Sequence, residues 1–80
     1  MSLRLVFLGR LEGVALAAHR DVAFTRSLDA LFASLDPDLS AALQGEKIKL
    51  AVNGVLIADR AGLVLNEGDE LAFLPPVSGG

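Results

Sequence analysis

Cysteine is absent from this chain of 80 residues, and histidine occurs once, as His19. Without cysteine the chain can form no disulfide, no thiolate metal site and no cysteine nucleophile, and the redox compartment stays open. A single histidine does not supply the ligand set of an ordinary transition-metal site, so we expect this chain to bind no metal. We expect His19 to be a solvated surface residue.

Clusters of positive charge and long apolar runs are also missing. Seven lysines and arginines are scattered among ten acidic residues, giving a net charge of −3. This balance disfavours binding to a nucleic acid backbone. No apolar run approaches the roughly 20 residues of a membrane span, and no secretory signal is visible. We therefore expect a cytoplasmic protein without membrane contact.

The sequence also lacks a recognisable catalytic set. Such a set needs a nucleophile, a base and a group that orients the base, and no glycine-rich phosphate loop opens a helix. Glu67, Asp69 and Glu70 are close enough in sequence to suggest a cation site, although ordinary turn chemistry at residues 66–69 explains the same pattern. We expect that the domain alone is not a catalyst.

What the sequence does contain is the hydrophobic pattern of one small globular domain, since 52% of its residues are hydrophobic. Apolar residues predict a strand over residues 3–8, and a second strand should lie within residues 16–24, with Val22 and Phe24 facing inward. Residues 10–12 start a short turn or helix. Alternation predicts a further strand over residues 47–52, and a final strand covers residues 70–74.

The helix and hairpin signals are local and specific. Ser27 is a good N-cap, and an apolar stripe predicts a helix of about three turns that ends at residues 36–37. The stripe consists of Leu28, Leu31, Phe32 and Leu35. A shorter helical turn follows at residues 39–43. Asn53-Gly54 predicts a tight hairpin that returns as a short strand over residues 55–57.

This order of elements predicts an α+β fold with a mixed sheet of about five strands packed on one main helix. The first and last strands would be parallel neighbours in the centre of the sheet, as in the ubiquitin-like β-grasp. We divide the chain into a domain of residues 1–74 and an extended tail of residues 75–80.

The tail combines stiffness with a narrow cross-section. Pro75 and Pro76 lack backbone donors, so they stop the preceding strand and favour an extended path. Gly79 and Gly80 have no side chain, so they could thread a channel too narrow for other residues. Six residues reach roughly 20 Å at about 3.3 Å each. The pattern suggests delivery of the Gly80 carboxylate into the active site of another protein.

An apolar surface is predicted next to this tail. If Leu71 and Phe73 face the helix, then the opposite face carries Val6, Leu8, Ala72 and Leu74. That face is either partly covered, wrongly assigned by one residue, or a docking patch for a partner. We name Leu8, Leu56 and Leu74 as candidates for the docking patch.

The C-terminal sequence from Gly68 through Leu74-Pro75-Pro76-Val77-Ser78-Gly79-Gly80 resembles that of the small, sulfur-carrying subunit of molybdopterin synthase. The resemblance extends to residues 5–7, the capped helix at Ser27 and residues 50–54, whereas residues 13–19 and 59–64 match less clearly. It implies that a ubiquitin-activator-like adenylating enzyme uses ATP to activate the Gly80 carboxylate. A sulfur donor protein then supplies sulfur, and Gly80 becomes a thiocarboxylate.

The same resemblance implies that the loaded tail enters the large catalytic subunit and donates sulfur to a pyranopterin precursor of the molybdenum cofactor. Gly80 would carry the sulfur and Gly79 would provide clearance in the channel. The direction and fit of the tail would be set by Pro75, Pro76, Val77 and Ser78. Catalytic groups would come from the large subunit, and this chain would bind no cofactor itself.

Other functions share the same terminal motif. A sulfur carrier for thiamine or cysteine biosynthesis would use the same activation chemistry, although the Pro-Pro-Val-Ser sequence argues against it. A ubiquitin-like modifier would join Gly80 to lysines of other proteins. A plain interaction module would make no use of the tail.

Overall fold

The computed structural model describes residues 1–76, and in them the chain forms five strands and three helices. In chain order these are β1 (Ser2–Phe7), α1 (Leu11–Ala15), β2 (His19–Ala23), α2 (Leu28–Ser34), α3 (Pro37–Leu43), β3 (Lys49–Val52), β4 (Val55–Leu56) and β5 (Glu70–Leu74). The strands form one sheet in the order β2-β1-β5-β3-β4. β1 and β5 are parallel, and the other neighbours are antiparallel. The predicted β-grasp arrangement is confirmed.

The two central strands, β1 and β5, supply five of the nine largest fully buried side chains. β1 and β5 pair in register from Arg4 with Glu70 to Phe7 with Phe73. Their alternate residues point toward the helices and are fully buried: Leu3, Leu5, Phe7, Leu71 and Phe73. The predicted assignment of inward and outward faces is therefore confirmed for both strands.

Helix α2 begins as predicted but is shorter. The Ser27 Oγ accepts a hydrogen bond from the Ala30 backbone N–H at 3.1 Å, which confirms the N-cap. Only Leu28–Ser34 is helical, about two turns instead of three. Leu35 is buried although its backbone is extended, at φ −90° and ψ 161°. The apolar stripe thus continues into the core beyond the last helical residue.

Helix α3 begins earlier than predicted. It covers Pro37–Leu43 and not only residues 39–43, with Pro37 in its first turn. Proline fits there because its missing N–H would have no partner inside the helix and its φ is already helical. The Asp36 carbonyl accepts from Ser40 N–H at 2.8 Å and joins the linker to the new helix. The proline therefore starts α3, whereas α2 has already ended at Ser34.

A tight turn joins β3 to β4 as predicted. Asn53 and Gly54 both have positive φ, 51° and 84°, and they leave Val52 opposite Val55. β3 starts at Lys49 and not at residue 47, and β4 ends at Leu56. The Asn53 side chain bridges to the start of β5: its amide donates to Asp69 Oδ1 at 2.9 Å and its oxygen accepts from Glu70 N–H at 3.0 Å.

Candidate functional site

The face of the sheet that points away from the helices carries one continuous row of cross-strand neighbours. The register places His19 of β2 opposite Val6, and Val6 opposite Ala72. Ala72 lies opposite Ala51, and Ala51 lies opposite Leu56. The row crosses all five strands, about 19 Å at the usual strand spacing of about 4.8 Å. Beyond His19 every member of this row is apolar.

The apolar surface extends from this row toward the end of β5. Leu74 lies opposite Lys49, and Leu8 continues the outer face of β1 because its N–H donates to the Phe73 carbonyl at 3.2 Å. Leu8 is 40% exposed, Leu56 is 60% exposed, and Leu74 is half-buried. We define the outer patch as Val6, Leu8, Ala51, Leu56, Ala72 and Leu74. Lys49 borders this patch beside Leu74.

The opposite end of the same face is polar. Asp21 lies opposite Arg4, and Arg4 lies opposite Glu70. Arg4 Nε donates to Asp21 Oδ1 at 3.2 Å, and both side chains are more than half exposed, 52% and 58%. An exposed pair of this kind contributes little to stability, at most about 1 kcal/mol. Its main effect is to give the outer patch a charged border on the side remote from the tail.

The tail leaves the sheet beside the outer patch. β5 ends at Leu74, directly before Pro75 and Pro76, which are both half-buried. The Pro75 ring lies against Gly9 at the end of β1. The two central strands thus place the root of the tail next to Leu8 and Leu74. The predicted stop at Pro75 is confirmed.

The predicted site residues fall into two groups. The structure brings Leu8, Leu56 and Leu74 onto one face. Leu8 and Leu74 lie next to the root of the tail formed by Pro75 and Pro76, whereas Leu56 lies two strands away from β5, on β4. Their role in docking stays a prediction. The predictions for Val77, Ser78, Gly79 and Gly80 lie outside the described residues.

Sequence reasoning missed Ala51 and His19 as members of the outer row. Ala51 is buried on the outer face because its short side chain lies between its cross-strand neighbours Ala72 and Leu56. A signal for Ala51 was available, since a two-residue turn at Asn53-Gly54 fixes it opposite Leu56. His19 is exposed as predicted, but its pairing with Val6 depends on a register that the sequence does not specify.

The acidic residues around position 69 form a turn. Asp69 Oδ1 accepts from the Asn53 amide, and Asp69 Oδ2 accepts from Asn66 N–H at 2.8 Å. Gly68 adopts the positive φ of 82° that closes the turn. Across residues 1–76 no group of three or more potential metal-ligating side chains comes together. The turn interpretation therefore accounts for Asp69.

No helix in the part of the chain that the structure describes is long and apolar enough to cross a membrane. Localisation in the cytoplasm stays a prediction.

The parallel central strands, the flanking antiparallel hairpin and the helices on one face define a small ubiquitin-like β-grasp protein. The ThiS family profile matches residues 10–80, and the chain belongs to this family. A search of curated protein sequences found no match.

Solved structures with the same fold include two kinds of small protein. SAMP1 from Haloferax volcanii is 30% identical over 100% of both chains, with a TM-score of 0.77. Small archaeal modifier protein 1 from Methanosarcina acetivorans is 25% identical over 99% of this chain and 96% of that chain, with a TM-score of 0.75. A chain in the complex of subunits 1 and 2 of molybdopterin-converting factor from Helicobacter pylori is 25% identical over 100% of both chains, with a TM-score of 0.72.

Proposed function

We propose that this protein is the sulfur-carrying small subunit of a molybdopterin synthase. The observation that carries the proposal is an apolar outer patch beside the root of a Pro-Pro-Val-Ser-Gly-Gly tail, in a chain of the ThiS family. The Helicobacter pylori complex of subunits 1 and 2 supports a larger partner. The outer patch would hold that partner while the tail enters its active site.

The chemistry follows from the weakness of a free carboxylate as an electrophile. A ubiquitin-activator-like adenylating enzyme would join the Gly80 carboxylate to AMP from ATP, releasing pyrophosphate. Sulfide, delivered by a donor protein, would then attack the acyl carbon, displace AMP and leave a thiocarboxylate. The large subunit would supply the catalytic groups that move this sulfur to the pyranopterin precursor, and water would supply the oxygen that returns Gly80 to a carboxylate.

The residues of this chain would contribute binding and direction. Leu8, Leu56 and Leu74 would be buried against the large subunit, where apolar area excluded from water supplies most of the affinity. Pro75 and Pro76 would reduce the entropy lost when the tail is ordered. Gly79 would allow close approach of the channel walls.

The test is intact mass spectrometry of the protein from its native host, followed by reconstitution. We expect a fraction of the protein to carry one sulfur in place of one oxygen at Gly80. The loaded protein, mixed with the purified large subunit and precursor, should lose that sulfur as the dithiolene forms. Absence of a sulfur-bearing form in cells that are making molybdenum cofactor would refute the proposal.

A second candidate function is protein modification, which the SAMP1 structures favour because one of them is 30% identical over the whole chain. In that case Gly80 would form isopeptide bonds with lysines. Peptide mass spectrometry of the cellular proteome would detect the branched peptides. A carrier for thiamine or cysteine biosynthesis would instead transfer its sulfur only in an assay with those pathways' own acceptors.

A further inference from the structure

Among the glycines of the described residues, Gly9 is the one where an added Cβ would come closest to another residue, the ring of Pro75. Gly9 has φ +56°, and a Cβ built on it would lie 2.9 Å from Pro75 Cγ and 3.7 Å from Pro75 Cδ. Real Cβ atoms almost never approach another carbon this closely, because the repulsion is steep at this distance. The proline ring therefore occupies the space that a side chain at position 9 would need.

Other glycines separate this contact from the ordinary need for a positive φ. Gly54, Gly62 and Gly68 have φ of +84°, +77° and +82°, and a Cβ at any of them would meet nothing within 4 Å. Backbone conformation alone accounts for those glycines. Gly9 has a second requirement, which is imposed by the residue that begins the tail.

Pro75 lies just beyond the last residues of β5 that pair with neighbouring strands. The last ladder pair on one side joins Leu74 to Lys49, and on the other side Leu8 N–H donates to the Phe73 carbonyl. Pro75 has no N–H to continue either ladder, and its ring fixes its own φ near −65°. Packing of that ring on Gly9 is a contact that can orient the exit of the chain.

A small change of direction at this point has a large effect further along. Five residues follow Pro75, which at about 3.3 Å each reach at most about 16 Å. For an extended segment of that length, a rotation of about 15° at Pro75 would displace the far end by about 4 Å. Misplacement of a reacting group by about 1 Å already lowers rates by up to about a hundredfold.

We propose that Gly9 is a positioning residue for the tail: its missing side chain seats the Pro75 ring and so sets the direction in which the tail leaves the sheet. The consequence for sulfur delivery depends on the proposed function. The geometric claim itself does not.

The direct test uses the full chain and compares Gly9→Ala with the matched control Gly62→Ala. Both variants place a methyl group at a positive φ, but only the first meets Pro75. Because the chain has no cysteine, a thiol-reactive nitroxide would attach only to the cysteine introduced by Ser78→Cys. Paramagnetic broadening of amide signals at Leu8, Lys49 and Leu56 then reports where the tail lies.

We expect Gly9→Ala to change the relative broadening at these amides by roughly twofold or more, since it varies steeply with distance, and Gly62→Ala to leave it unchanged. The effect of the added methyl should fall by roughly half or more in a Pro75→Ala background, where the ring atoms it meets are gone. An identical broadening pattern in Gly9→Ala and the parent chain would overturn the proposal. So would a methyl effect that is the same with proline and alanine at position 75.

A kinetic readout links the contact to the proposed function. With the large synthase subunit, Gly9→Ala should lower the rate of sulfur transfer at saturation about tenfold, while the Kd for docking changes less than about threefold. A change in Kd alone would overturn the positioning role. If even the parent protein transfers no sulfur, the proposed function fails, and the broadening measurement still decides whether Gly9 directs the tail.

Discussion

The bridge between the β3–β4 turn and the start of β5 allows a quantitative prediction. The Asn53 side chain donates to the Asp69 carboxylate at 2.9 Å and accepts from Glu70 N–H at 3.0 Å, and Asp69 is only 9% exposed. The Asn53→Ala variant removes both bonds. It leaves the backbone bond from Asn53 N–H to the Glu70 carbonyl, at 2.8 Å, in place.

The expected loss can be estimated bond by bond. A hydrogen bond to a charged group contributes about 1.5–3 kcal/mol and a neutral one about 1 kcal/mol. Alanine at a φ of 51° adds strain of about 1 kcal/mol, because asparagine tolerates the left-handed region better. Asn53→Ala should therefore lower the free energy of unfolding by about 4 kcal/mol. Asn53→Gly, which accepts the positive φ, should cost about 1 kcal/mol less.

Urea denaturation followed by circular dichroism measures these differences. For a domain of this size the free energy of unfolding falls by about 1 kcal/mol per molar urea. The urea midpoint of Asn53→Ala should therefore fall by several molar, or the variant should be unfolded without urea. Asn66→Ala is the matched control, because the hydrogen bonds between Asn66 and Asp69 in the described residues use only the backbone of Asn66: its N–H donates to Asp69 Oδ2, and its carbonyl accepts from Asp69 N–H at 3.1 Å. It should change stability by less than about 0.5 kcal/mol. Equal midpoints for Asn53→Ala and Asn66→Ala would mean that the two side-chain hydrogen bonds of Asn53 do not contribute this stability.

Three further predictions concern the outer patch, the tail and the helix cap. Leu56→Glu should weaken binding to the large synthase subunit about tenfold or more in calorimetry. Val64 is equally exposed at 60% but lies outside the outer patch, so Val64→Glu should leave the affinity unchanged. Equal affinities of the two variants would argue against docking through this face. Removal of Gly80 should abolish sulfur loading in mass spectra without lowering the melting temperature, and loading of the shortened chain would contradict the assigned role. Ser27→Ala should cost about 1 kcal/mol in urea denaturation, and no loss would mean that its hydrogen bond to Ala30 contributes nothing.

Alternation and local caps were sufficient to predict the central strands and the start of α2. Each of these signals lies within a few residues: the inward Leu71 and Phe73, or the Ser27 cap three residues before Ala30. The end of α2 was harder to predict. Leu35 is buried in an extended conformation, so its place in the apolar stripe did not distinguish a helical residue from a buried linker residue.

The candidate site was predictable only in part, because its parts come from distant segments. Leu8 and Leu74 could be assigned to one face from alternation alone. The placement of Ala51 and His19 in the same row depends on strand register across the whole sheet. The fit of Pro75 on Gly9 depends on backbone geometry at the end of β1, which no short sequence pattern encodes.

The position of β5 in the sheet has a consequence for how the protein is made. Among the strands of the described residues β5 comes last in sequence, yet it lies between β1 and β3, so without it the remaining strands form two separate antiparallel pairs. During synthesis these halves can form early, but they cannot join until residues 70–74 have left the ribosome. A truncated product that lacks the tail and β5 would expose Leu5 and Leu50 to solvent and invite degradation. The complete sheet can therefore form only after the strand that carries the tail has been synthesised.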